Sequence, residues 1–242
     1  MDKSKIKVIA MDLDGTLTQH KEQLLEGQKQ TLDRLNSKYK LLMVGAGQVG
    51  RIFNQMNKYP IDIIGNYGMQ YAVYDKESEN LSIKRDISLK VDREETEKIV
   101  TELRNKHGFL NYRGDNVEYH ASGCITFPIL GTKALQPDKL SFDPTREKRR
   151  AIYDEVCEKF EKYNVFVGGS SSFDMAPKPY NKYYALDLYC KENGYEHNEV
   201  LYIGDDYGLG GNDESVYLSD IPFLKIDNYL DFPALTEFLL EE

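Results

Sequence analysis

The residues that could do chemistry gather at three turns. Asp12 and Asp14 stand two apart in Asp12-Leu13-Asp14-Gly15-Thr16, directly after the apolar run at 6–11. Two carboxylates this close repel each other unless a cation holds them. Asp205 and Asp206 follow a second apolar run, 200–203, and Asp205 supplies the third oxygen ligand that a hard Mg²⁺ site uses. One carboxylate can then attack phosphorus, while Lys182 and the metal offset the negative charge that develops. After a third apolar run, 41–44, comes the glycine turn Gly45-Ala46-Gly47-Gln48 at the start of a helical pattern. Backbone amides in such a turn can bind phosphate. Taken alone, an acidic pair after a strand is an ordinary turn. The pair together with a downstream lysine and strand-Gly-Asp-Asp points to phosphoryl transfer.

For one reaction these turns must meet, and the surrounding pattern brings them to one sheet edge. Strands at 6–11, 41–44 and 61–64 alternate with helical spacing at 24–35 and 49–56, the pattern of a doubly wound parallel sheet. Ligands bind outside the carboxyl ends of such strands, where all three turns lie. Alternating strands at 68–74 and 81–84 flank a polar turn at 76–80. The texture then becomes α+β, with helices at 93–106 and 146–162, strand-like stretches within 112–128, and strands at 165–167 and 172–175. After Pro177 and Pro179 the first texture returns: a helix at 183–193, strands at 200–203 and 222–226, and a last helix from Pro233 to Leu240. The expected organisation is an α/β core at 1–84 and 178–242, interrupted by an α+β module at 85–177.

Composition narrows the classes of function. The 242 residues carry 31 Lys and Arg against 40 Asp and Glu, a net charge of −9. Polyphosphate repels such a chain, so nucleic acid and anionic membrane are poor partners. A hydrophobic fraction of 40% supports a packed core. No apolar run reaches membrane-span length and no long apolar signal core opens the chain. Cys124, Cys157 and Cys190 are odd in number, widely spaced and form no CxxC pair, so neither a disulfide framework nor a zinc knuckle is indicated. A soluble, cytoplasmic monomer or homodimer is expected.

The segments KVIAMDLDGTL, Lys182 and GDDYGLGGND resemble the haloacid dehalogenase (HAD) superfamily of phosphotransferases. The likeness is nearest to its large-capped branch, which includes Cof-type sugar phosphatases and eukaryotic phosphomannomutases, and it covers essentially the whole chain. The resemblance implies a HAD-like core with the module as cap, Asp12 as the nucleophile that becomes an aspartyl-phosphate, and Asp14 as general acid and then base. It implies Mg²⁺ on Asp12, the backbone carbonyl of Asp14 and Asp205, with Asp206, Asn212 or Asp213 completing the shell. Lys182 would bridge nucleophile and phosphate, and the cap would close on a small phosphorylated substrate, a sugar phosphate. Arg113, Lys133, Lys139, Ser172 and Asp174 would be its substrate contacts there.

Departures from the family pattern shape the expected activity. The Ser or Thr hydroxyl usual at the end of the second strand is missing, because Gly47 stands where the mutases have serine; Gly45, Ala46 and Gly47 would bind phosphate by their backbone. In the cap, His120-Ala121 and Thr132 stand where the mutases carry arginine, and neither His nor Thr can give a bidentate phosphate contact. A Mg²⁺-dependent phosphatase is therefore expected ahead of a hexose phosphate mutase, with a ligand-binding domain that has lost turnover as a further alternative. Three other readings lose to these. Gly45-Ala46-Gly47-Gln48-Val49-Gly50 is a literal GxGxxG, but it follows the second strand, and the next strand ends without an acid for a ribose. The serines at 170–172 lack a GxSxG setting and an activating histidine. The basic run at 146–150 is read as a solvated helix face.

Overall fold

The computed structural model describes residues 2–241. The chain divides into two compact units, one of residues up to Asp86 with 181–208 and 213 onward, the other of 87–180 and 209–212. The short stretch 209–212, expected with the core, groups with the inserted module because its backbone pairs there: Gly210 accepts from the Val167 amide at 2.8 Å.

In the first unit seven strands form one sheet: β1 (Val8–Met11), β2 (Lys40–Val44), β3 (Asp62–Gly65), β4 (Gln70–Asp75), β5 (Asn80–Asp86), β10 (Val200–Gly204) and β11 (Phe223–Lys225). Their order is β11-β10-β1-β2-β3-β4-β5. The first five in that order run parallel, while β4 and β5 turn back antiparallel. The central strands read as unbroken apolar runs because both faces are covered. One face places Ile9, Met11, Leu41, Met43 and Ile203 against Leu32 and Leu35 of α1 (Glu26–Asn36) and Ile52 and Phe53 of α2 (Val49–Gln55). The other places Val8, Ala10, Leu42, Val200 and Tyr202 against Ala185, Leu186 and Tyr189 of α7 (Lys182–Asn193). Each fully buried Leu here contributes roughly 1.5–3 kcal/mol. After the short α8 (Glu214–Tyr217), the last helical turns, α9 (Phe232–Thr236) and the 3₁₀ turn after it, add Phe232 and Leu239 to the first face.

The second unit has its own sheet, β6 (Glu118–Tyr119), β7 (Ile125–Pro128), β9 (Ser172–Pro177) and β8 (Tyr163–Phe166), in that order and antiparallel throughout. Its core joins Ile125, Phe127, Phe173 and Met175 to Val100 and Leu103 of α3 (Arg93–His107) and Val156 of α6 (Tyr153–Lys159). Two expectations are corrected here. The single helix at 146–162 is α5 (Glu147–Arg150) followed by α6, and α4 (Gln136–Phe142) forms where no helix is expected. The basic run is not a solvated face throughout, since Arg149 is fully buried. Its guanidinium pairs with Asp143 at 2.9 Å and donates to the carbonyls of Gly168 (2.6 Å), Gly169 (3.2 Å) and Ser172 (3.1 Å). A charge so fully satisfied can be buried. Among the described residues no helix is long and apolar enough to cross a membrane.

Candidate active site

Register sets the site. Met11 lies opposite Ile203 on one side and Met43 on the other, so β1, β10 and β2 release Asp12, Asp205 and the glycine turn at one level. The Asp12 amide extends the pairing by donating to the Ile203 carbonyl at 3.0 Å. The exit from β1 depends on Gly15. Its φ is +96°, and a Cβ there would stand 2.5 Å from Cγ of Asp205, so only glycine lets the two acidic turns approach. Thr16, fully buried, then donates its hydroxyl to Asp205 Oδ1 at 2.9 Å.

Lys182 comes from the opposite side as the first residue of α7. Asn181 caps that helix, accepting from the Tyr184 amide at 2.8 Å, and a side chain in the first turn leans back toward the helix start. Fully buried, the Lys182 ammonium lies 2.8 Å from Asp12 Oδ1 and 2.6 Å from Asp213 Oδ1. Asp213 also accepts from the Tyr202 hydroxyl at 2.5 Å and from the Asp206 amide at 3.0 Å. Burial would lower the ammonium's pKa, but Asp12 and Asp213 outweigh it and hold it charged. Burial pushes the Asp12 carboxyl well above the usual range, against the pull of Lys182 and with Asp213 and Asp205 adding to the rise. Asp205 is pushed up to about 6, chiefly by burial and then by Asp213.

Asp12, Asp205 and Asp213 each bring a carboxylate oxygen within 4.8 Å of the others. Three carboxylates against one ammonium leave an excess of negative charge, and the donors are all hard oxygens. The set therefore fits a divalent cation such as Mg²⁺. The Asp14 carboxylate does not join it. Its Oδ1 accepts from Gln55 Nε2 at 2.6 Å and from the Lys21 amide at 2.7 Å, and Oδ2 lies 3.4 Å from both terminal nitrogens of Arg51. Burial would raise Asp14, yet the Gln55 and Lys21 hydrogen bonds and the Arg51 charge hold it below its ordinary value. Of the glycine turn, the Gly45 amide is already spent on the Ile64 carbonyl at 2.9 Å, which leaves the amides of Ala46 and Gly47. At Gly50 a Cβ would meet nothing within 4 Å, so the close helix–strand packing that gives a dinucleotide fingerprint its third glycine is absent.

The remaining expected residues lie in the second unit. Ser172 and Asp174 share one face of β9, opposite buried Phe173 and Met175. Asp174 Oδ1 accepts from Thr126 of β7 at 2.9 Å and lies 3.4 Å from Ser172 Oγ, while His120 reaches Thr126 at 3.1 Å. Arg113 and Lys133, both exposed, meet through their backbones, with the Arg113 carbonyl accepting from the Lys133 amide at 2.9 Å. Lys139 is a half-buried residue of α4 and Asn212 packs with this unit. Sequence reasoning gave no role to Thr16, Arg51, Gln55 and Tyr202. The signal available for two of them was Gln55 as a polar residue on the apolar side of α2, with Arg51 one turn before it.

The family model of haloacid dehalogenase-like hydrolases matches residues 9–213. A phosphomannomutase of Spinacia oleracea is 26% identical over 240 aligned residues, covering 90% of this chain and 89% of that protein. Among solved structures, an N-terminally truncated IMP-nucleotidase of Plasmodium falciparum superposes with a TM-score of 0.70 at 16% identity, over 98% of this chain and 71% of the other. A haloacid dehalogenase-like hydrolase of Bacteroides thetaiotaomicron gives 0.54 at 16%, over 97% and 98%. At these identities the two structures bear on the fold alone.

Proposed function

Since the chain belongs to the haloacid dehalogenase-like hydrolase family, we propose that it is a Mg²⁺-dependent phosphatase that hydrolyses a small sugar phosphate through an aspartyl-phosphate on Asp12. The observation that carries this reading is the buried bridge from Asp12 through Lys182 to Asp213. Nothing in the packing of a strand end requires a lysine without exposure between two aspartates; a nucleophilic carboxylate whose charge burial disfavours does, because the ammonium opposes that rise in pKa.

In the first step an Asp12 oxygen bonds to phosphorus and the bond to the sugar oxygen breaks. Asp14 gives that oxygen its proton. In the second step water attacks the same phosphorus, Asp14 takes the proton from water, and the bond to Asp12 breaks to release phosphate. Gln55 and Arg51 favour ionised Asp14, the form the second step needs. Lys182 orients Asp12 and offsets charge on the phosphoryl oxygens. Asp12, Asp205 and the Asp14 carbonyl would hold Mg²⁺, with Asp206, Asn212 or Asp213 completing the shell; the ion's chemistry is to offset the same charge. Arg113, Lys133, Lys139, Ser172 and Asp174 would select the substrate. We place the protein in the cytoplasm, acting on small molecules and not on nucleic acid, as its charge of −9 favours.

Asp12→Asn keeps the side chain's size and removes the nucleophile. Hydrolysis of p-nitrophenyl phosphate should fall by at least about a thousandfold, and chelation of Mg²⁺ should abolish it reversibly. Most of the activity surviving either change would sink the reading. A phosphomutase is the second reading, favoured by the Spinacia oleracea phosphomannomutase matched along 90% of the chain.

A further inference from the structure

Gly47 stands where the family pattern has a hydroxyl, and its space is filled from the next helix. A Cβ at Gly47 would lie 2.5 Å from Nε and 2.8 Å from Cζ of Arg51, distances at which one of the two must move. The Arg51 guanidinium therefore occupies the volume that a side chain at position 47 would need. It is held from one side. Nη1 donates to Gln55 Oε1 at 2.9 Å, and Nη1 and Nη2 each lie 3.4 Å from Asp14 Oδ2. Nε–H and the second hydrogen of Nη2 take no acceptor among the described residues, and the side chain is 44% exposed. Those two donors form an edge of the guanidinium that can grip a phosphate with two parallel hydrogen bonds. The same edge is the one packed against Gly47.

We propose that Arg51 is the phosphate ligand of this turn: its Nε–Nη2 edge replaces the missing hydroxyl, and position 47 is glycine so that the guanidinium can enter. The inference rests on the phosphoryl transfer at Asp12 proposed above. It exchanges a neutral donor for a permanent cation, already held in place by Gln55 and Asp14 before the substrate arrives. A residue that served only to hold Asp14 would need no glycine at 47 and would not change affinity for phosphate.

The test is a double-mutant cycle between Gly47→Ser and Arg51→Ala, with Arg51→Lys beside it, read by kinetics on p-nitrophenyl phosphate with inorganic phosphate as competitive inhibitor. Arg51→Ala should weaken phosphate inhibition roughly ten- to a hundredfold, the loss of one charge-assisted forked pair, and raise KM. Arg51→Lys should recover part of this, as a point charge without the fork. Gly47→Ser alone should lower kcat/KM, because hydroxymethyl and guanidinium compete for one space. Combined with Arg51→Ala, it should exceed Arg51→Ala alone, since the hydroxyl then has room. Unchanged phosphate inhibition in Arg51→Ala, or a double variant no better than that single one, overturns the proposal. If Arg51→Ala does not fold, Arg51→Lys and Gly47→Ser carry the decision. If the wild type shows no Asp12-dependent turnover, the proposed reaction fails instead. The rise in melting temperature caused by inorganic phosphate, compared between wild type and the Arg51 variants, then still decides whether Arg51 binds it.

Discussion

Asp174 carries a charge that its surroundings hold at a disadvantage. Burial raises its carboxyl pKa, and the hydrogen bonds from Thr126 and Ser172 and the charge of His120 only partly oppose that rise. The folded protein then binds more protons at this site than the unfolded chain does, from the unfolded value of about 3.9 up to the raised folded value. Stability contributed by the site is present below that window and is lost as pH climbs through it. Asp174→Asn removes the charge and keeps an oxygen to accept from Thr126 and Ser172. The variant should be more stable than wild type at pH 7, with the gain shrinking as pH is lowered toward 4. Turnover of the physiological substrate should fall if Asp174 contacts it. Melting temperatures of both proteins across that range check the first claim, and a gain that grows toward acid pH would refute it.

At the scale of elements, the Arg149 cluster shows a charged side chain acting as a core residue. Its guanidinium ties the start of α5 to the backbone between β8 and β9 and to Asp143, with side-chain exposures of 1% and 2% for the pair. Breaking a buried pair by removing one partner typically costs about 3–5 kcal/mol. Arg149→Ala should therefore destabilise the protein on that order in urea unfolding; a loss under about 1 kcal/mol would mean that the cluster is a passenger. The same place marks the limit of what the sequence discloses. Strands β1, β2 and β10 are legible because parallel strands covered on both faces are continuous apolar runs, and their ends deliver Asp12, Gly45 and Asp205 wherever the helices cross. Lys182 is legible through its motif. The burial of Arg149 is not, because what satisfies it is a set of carbonyls at 168–172, some twenty residues on. The Arg51–Asp14–Gln55 contacts span 37 and 41 positions, and no local periodicity carries a pairing of that range. Gly47 is legible as a missing hydroxyl; the guanidinium that fills its space is not, because the side chain of Arg51 folds back from the following helix.

For the molecule as a whole, the proposed aspartyl-phosphate on Asp12 has two fates: water can take the phosphoryl group, or a second hydroxyl of a retained sugar phosphate can. Migration requires the intermediate to stay bound while it reorients, and so requires a firm grip on its other phosphate. Two positions at which the mutase pattern carries arginine hold His120 and Thr132, and both side chains are engaged within the second unit. His120 meets Thr126 at 3.1 Å, and the Thr132 hydroxyl donates to Asp115 at 3.1 Å and accepts from its amide at 2.9 Å. Each lost forked pair is worth roughly 1.5–3 kcal/mol. Two losses, if additive and acting on dissociation, shorten residence by roughly a hundredfold or more. Lys133, beside Arg113, restores some attraction, but as a point charge without bidentate geometry. Water therefore has the advantage, and phosphate release should exceed isomerisation. The measurement is to supply mannose 1-phosphate and glucose 1-phosphate, each with and without a hexose bisphosphate, and to follow free phosphate and the 6-phosphate product together. Bisphosphate-dependent 6-phosphate formation that outruns phosphate release would reverse the order. In that case Thr132→Arg should raise isomerisation further, whereas in a phosphatase it should mainly lengthen substrate residence and lower KM.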